Sequence, residues 1–152
     1  MTITPPHFTV HDTAQMTAVL EAAAATQRGA ILLSAPGASA YLGAGWFRAA
    51  LDRALAEAPG ASDWTAYLDC ADRAGDVMSA LRAGVPGAIF TGDSQVAAKL
   101  AAMTEGRMSV LTARPESLDL AAAAEPGVVC RNILATACPC PSPDNKAVRD
   151  DD

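Results

Sequence analysis

Aromatic residues are scarce in this sequence. They make up 5% of 152 residues, although 51% of the chain is hydrophobic. A core with so few large rings is filled mainly by Ala, Leu and Val, and alanine-rich helices pack closely on whatever they cover. Positive charge is also short: 11 Lys and Arg stand against 17 Asp and Glu, a formal net charge of −6. No basic cluster tracks a phosphate backbone, so neither nucleic acid nor an anionic membrane is an expected partner. No apolar run nears the ~20 residues that cross a bilayer. The opening MTITPPHFTV lacks the basic and apolar regions of a signal peptide, so a cytoplasmic location is expected. Histidine occurs only at His7 and His11, and cysteine only at Cys70, Cys130, Cys138 and Cys140. Without CxxC pairs these cysteines read as thiols in a reducing compartment.

The chain does contain a regular alternation of short apolar runs and helical patterns. FTV (8–10), AILLS (30–34), WTAYLD (64–69), GAIFT (87–91) and RMSVLTA (107–113) read as strands, and VVCRNIL (128–134) as a sixth. Between them, helices are predicted after Asp12, at about 46–58, over 74–84, over 93–103 and over 115–124, the last with Pro115 as its first residue. Asp12 with Gln15 resembles a capping box, Gly29 and Gly84 read as helix stops, and Trp46, Phe47, Ala50, Leu51, Ala54 and Leu55 line one helix face. The Pro- and Cys-rich end breaks the pattern. A single α/β domain over 1–134 followed by a disordered acidic tail over 135–152 is expected.

This alternation predicts βαβ units and a parallel sheet of five or six strands. The sheet is either a truncated, TIM-barrel-like arc or an open flavodoxin-like sheet. Ligands of both folds sit beyond the C-terminal strand ends. Here those ends are Val10–Asp12, Ser34–Tyr41, Asp69–Asp72, Thr91–Ser94 and Ala113–Arg114.

Several phrases recur in one order: HFTVHD, AVLEAAAATQRGAILL, SAPGASAYLGAG, YLDCA, ALRAGV and GAIFTGDS. Over residues 8 to 94 they resemble the N-terminal half of the class II, metal-dependent fructose- and tagatose-bisphosphate aldolases. In that family a strand ends in HLDHG. The resemblance implies that Asp69 matches the catalytic acid/base and that Cys70 replaces a zinc-binding histidine. Thr9 stands where the family has a substrate-positioning asparagine, and Ser34 is kept. The family's glutamate ligand, two further histidine ligands and glycine-rich phosphate cradle have no counterpart after residue 94. A catalytic zinc needs three protein ligands and an open position. The resemblance therefore implies a degenerate relative, with no cofactor expected and zinc as the alternative.

Each candidate has two readings. Asp69 is a retained ligand-facing acid, or a strand-end cap. Cys70 is a small filler, or a metal thiolate. Cys130, Cys138 and Cys140 form a soft-metal set, or Cys138 and Cys140 belong to an extended tail. Ser34 and Gly37, in the loop over 34–45, cradle a phosphate, or the loop is simply close-packed. Asp93 and Ser94 line a ligand, or cap a helix. Arg28, Arg48, Arg53, Arg73 and Arg82 read as solvated helix faces.

Three functions follow. The first is a non-catalytic aldolase-like module that binds a sugar phosphate or serves assembly and regulation, self-associating to cover open sheet edges. The second is a zinc-dependent lyase completed by a second chain. The third is a receiver-type signalling domain with Asp69 as phospho-acceptor, in which Arg114 would stand where a lysine is needed.

Overall fold

A computed structural model describes residues 4–136. It contains a six-stranded, all-parallel open sheet and six α-helices among the described residues. The strands are β1 (His7–Val10), β2 (Ala30–Ser34), β3 (Trp64–Asp69), β4 (Gly87–Ile89), β5 (Ser109–Leu111) and β6 (Leu118–Asp119). The helices are α1 (Thr13–Thr26), α2 (Ser39–Leu42), α3 (Ala44–Glu57), α4 (Ala74–Ala83), α5 (Ser94–Thr104) and α6 (Pro126–Thr136). Residues 135–136, expected to open the tail, belong to α6; the rest of that segment, with Cys138 and Cys140, lies outside the described residues.

Strand order is β5-β4-β3-β2-β1-β6. From β1 to β5 the chain always steps in the same direction. Right-handed crossovers then place every connecting helix on one face, as in an arc of a barrel. The packing agrees. Phe8, Leu32, Leu68 and Phe90 join residues of α1, α3, α4, α5 and α6 in one large apolar core. The opposite face carries a separate cluster, Leu33, Tyr67 and Ile89 with Ile31 and Leu111, that contains no helix residue. A flavodoxin-type sheet, ordered 2-1-3-4-5, would have helices on both faces.

The β5–β6 connection is unusual. These strands occupy opposite edges of the sheet, yet only residues 112–117 join them, without a helix. A parallel crossover normally needs a dozen or more residues. In a flat sheet, five strand spacings would separate the two by about 24 Å. The linker reaches about 23–25 Å only when fully extended. The sheet is therefore curled, with its helix-free face concave and the 112–117 strap crossing it.

The helix boundaries follow local chemistry. Asp12 caps α1 by accepting the Gln15 amide at 2.8 Å, and Gln15 Oε1 accepts the His11 amide at 2.8 Å, one residue earlier than a capping box requires. The helix stops at Gln27, in the left-handed region at φ 53°, rather than at Gly29. Gly29 serves a close approach instead: a Cβ there would lie 2.9 Å from the Asp63 carbonyl oxygen. Phe47, Leu51 and Ala54 of α3 are buried as expected, but Trp46 is 40% exposed. Asp93 caps α5 through the amides of Gln95 (2.8 Å) and Val96 (3.1 Å). Asp93→Ala should lower stability by about 1 kcal/mol and Asp93→Ser by much less, read from urea midpoints.

Two expectations fail beyond β5. Residues 115–124 form β6 and a 3₁₀ turn, Leu120–Ala122, not a helix with Pro115 at its start. Pairing of Phe8 with Leu118 and Thr9 with Asp119 recruits this segment to the edge of β1. Residues 128–134 lie in α6, not in a sixth strand. Pro126 takes the first helical position, and Cys130 and Leu134, four residues apart, are the buried side chains facing the core.

Candidate functional site

Alternation along the parallel strands decides which side chains meet. Phe8, Ala66 and Leu68 point to the helices, so Thr9, Tyr67 and Asp69 point to the concave face. Asp69 and Cys70 are adjacent in sequence but serve opposite sides of the sheet. Cys70 is fully buried in the helix-side core, with its Sγ 3.5 Å from the Leu68 carbonyl oxygen. Burial pushes its thiol pKa up to about 11, and does the same for Cys130 on α6. Neither is poised as a thiolate at neutral pH.

Asp69 is 4% exposed at the C-terminal end of β3. Its amide donates to Ser34 Oγ at 2.8 Å, which joins β3 to the end of β2. Oδ1 accepts the Ala71 amide at 2.9 Å, holding Ala71 in the left-handed region at φ 49°. Oδ2 accepts Arg114 Nη1 at 2.8 Å. The same guanidinium donates from Nη2 to Thr9 Oγ1 at 2.9 Å, and the Thr9 and Ser117 hydroxyls hydrogen-bond each other. One arginine on the strap thus bridges β1 and β3 across β2. No described buried side-chain nitrogen or oxygen lacks a partner.

Two further clusters flank this centre. His11 Nε2 lies 2.6 Å from Asp119 Oδ1, tying the end of β1 to β6. The Ala121 amide, then the His11 ring, hold the Asp119 carboxyl below its usual pKa. On the other side, Asp76 Oδ2 accepts Ser39 Oγ and Arg73 Nε, each at 2.7 Å. Arg73 also donates to the Gly37 carbonyl oxygen at 2.9 Å. Arg73 is therefore not simply a solvated helix residue: the segment 34–45, expected as a loop, contains α2 and the start of α3, and Arg73 clamps the turn before α2 to the start of α4.

The Ser39 hydroxyl, then Arg73, lower the Asp76 pKa. A depressed folded pKa stabilises the fold above the unfolded carboxylate value of about 3.9, and that stability is lost as pH falls through the folded value. Asp76→Asn should therefore flatten the stability–pH curve below about pH 4 without changing its shape near neutrality, as followed by urea unfolding at stepped pH.

Of the residues singled out from sequence, Ser34 and Asp69 come together, and Gly37 joins the neighbouring Arg73–Asp76 cluster. Asp93 and Ser94 sit apart at the start of α5. Ser94 lines an open groove of about 400 Å³ with Gly92, Ala97, Ala98, Ala101 and Thr112. Among the described residues no three His, Cys, Asp or Glu side chains gather as a metal site. No described helix is long and apolar enough to cross a membrane.

Sequence reasoning missed the central role of Arg114 and the part played by Ser117. The one available signal was an arginine just beyond a strand end, the edge at which barrel ligands bind. Chemically, the arrangement is a hydrogen-bonded ion pair bordered by the Thr9 and Ser117 hydroxyls over an apolar floor. The sequence matches no protein-family model and no curated protein.

Proposed function

We propose that this chain is a non-catalytic relative of the class II aldolases that works as a small-molecule-binding or assembly module. The supporting observation is the state of Asp69, the residue that the resemblance aligns with the aldolase acid/base. One of its oxygens is taken by Arg114 and the other by the Ala71 amide. A general acid/base must instead exchange a proton with substrate within hydrogen-bond reach. The resemblance suggests a sugar phosphate as ligand, bound at the strand ends beside Ser34 and Thr9. The β5 edge, which pairs only with β4, favours self-association.

A ketose bisphosphate provides the test. Calorimetry should give saturable binding without retro-aldol turnover, and light scattering should give a dimer or larger species. Turnover that disappears in Asp69→Asn would restore the lyase reading, and a monomer would remove the assembly role. A zinc lyase would need its metal ligands from a second chain, because Cys70 faces away from Asp69. A receiver reading needs β1 between β2 and β3, whereas β2 lies between β1 and β3 here.

A further inference from the structure

We propose that the 112–117 strap is a lid over an apolar ligand site, and that Arg114 fills the place of a cationic group on the ligand. The site then takes a small amine or guanidine with a short apolar body. This rests on the binding reading above but departs from the sugar phosphate that the resemblance suggests.

The strap is weakly held. Residues 112–117 make no backbone hydrogen bond to another described segment. Their ties are side-chain bonds: Arg114 to Asp69, Arg114 to Thr9, and Ser117 to Thr9. The flanking strands β5 and β6 have three and two residues. Opening the strap breaks these side-chain bonds but no backbone ladder, so it costs less than unfolding the domain as a whole.

Beneath the strap lies the concave face. Leu33 and Ile89 are fully buried there although no helix covers them, and Tyr67 lies beside them. Lifting the strap would expose these side chains together with the Asp69 carboxylate, with the Thr9 hydroxyl beside them on the same face. A molecule that stabilises the open state must satisfy both features.

Charge decides its class. A ligand that covers the opened face shuts Asp69 from water again, and a carboxylate buried there without a cation is strongly disfavoured. A phosphate or carboxylate ligand would place a second anion beside it. A guanidinium or ammonium restores the ion pair, and its apolar body covers Leu33 and Ile89.

The test compares n-butylguanidinium with n-butylurea, its neutral isostere, on the full chain. The cation should bind at least about tenfold more tightly and raise amide exchange selectively in residues 112–117. Asp69→Asn should erase the preference for the cation. Arg114→Gln, which removes the competing charge but keeps a donor, should tighten cation binding by about tenfold. Equal binding of the two isosteres, cation binding that survives Asp69→Asn, or no saturable binding to either wild type or Arg114→Gln would overturn the proposal. A ketose bisphosphate that binds where the cation does not would sink the lid and leave the earlier reading standing. Cation binding without bisphosphate binding would do the reverse for the sugar phosphate.

Discussion

Arg114→Ala should cost about 3 kcal/mol of stability, a fall of roughly 6–12 °C in Tm for a chain of this size. The loss comes from what the arginine leaves behind. The Asp69 side chain is 6% exposed, so it is left without its cation in a site that water barely reaches, whereas Arg114 itself is 22% exposed. Removing one partner of such a pair is far worse than removing both. Asp69→Asn combined with Arg114→Ala should therefore recover much of the loss. A double-mutant cycle by urea unfolding should give a coupling well above the ~0–1 kcal/mol of an exposed pair. A coupling in that surface range would mean that the strap is ornamental to stability.

Gly87→Val should cost about as much, near 3 kcal/mol, by overpacking. The Tyr67 ring on β3 lies flat across Gly87 on β4. A Cβ at residue 87 would overlap ring carbons Cδ1 and Cε1 and lie 3.1 Å from the Ala66 carbonyl oxygen. The ring has no easy escape, because it packs with Leu33 and Ile89 while its hydroxyl points to Ser109 Oγ at 3.4 Å. The check is specificity. In a Tyr67→Ala background the valine gains room, so the two effects should be strongly non-additive. Additive losses in urea unfolding would place the clash elsewhere.

How much of this was legible in the sequence depends on how local each feature is. From β1 to α5 the strands and helices follow apolar periodicity, and caps such as Asp93 are written within three residues of where they act. WTAYLD was bounded correctly because a buried parallel strand reads as one continuous apolar run. After residue 111 the structure is set by distant partners. Leu118 and Asp119 form a strand only because β1 offers an edge 110 residues upstream in register. VVCRNIL misled through its β-branched residues, although Pro126 and the Cys130–Leu134 spacing were visible helix signals. Arg114 meets partners 45 and 105 residues away, a relation no single segment encodes. The opposed directions of Asp69 and Cys70, by contrast, were readable from strand alternation alone.

The short β5–β6 connection also sets an order of folding events. Each step from β1 to β5 joins neighbouring strands through one helix, or through α2 and α3 between β2 and β3, so the arc can grow by local additions. Pairing of β6 with β1 and the Thr9–Ser117 contact close a loop of 108 residues, a long-range closure like the packing of α6 on α1. During synthesis the first strand must wait, with one edge unsatisfied, until almost all of the domain has been made. The seal that completes the mouth thus forms late, together with the docking of α6 on α1.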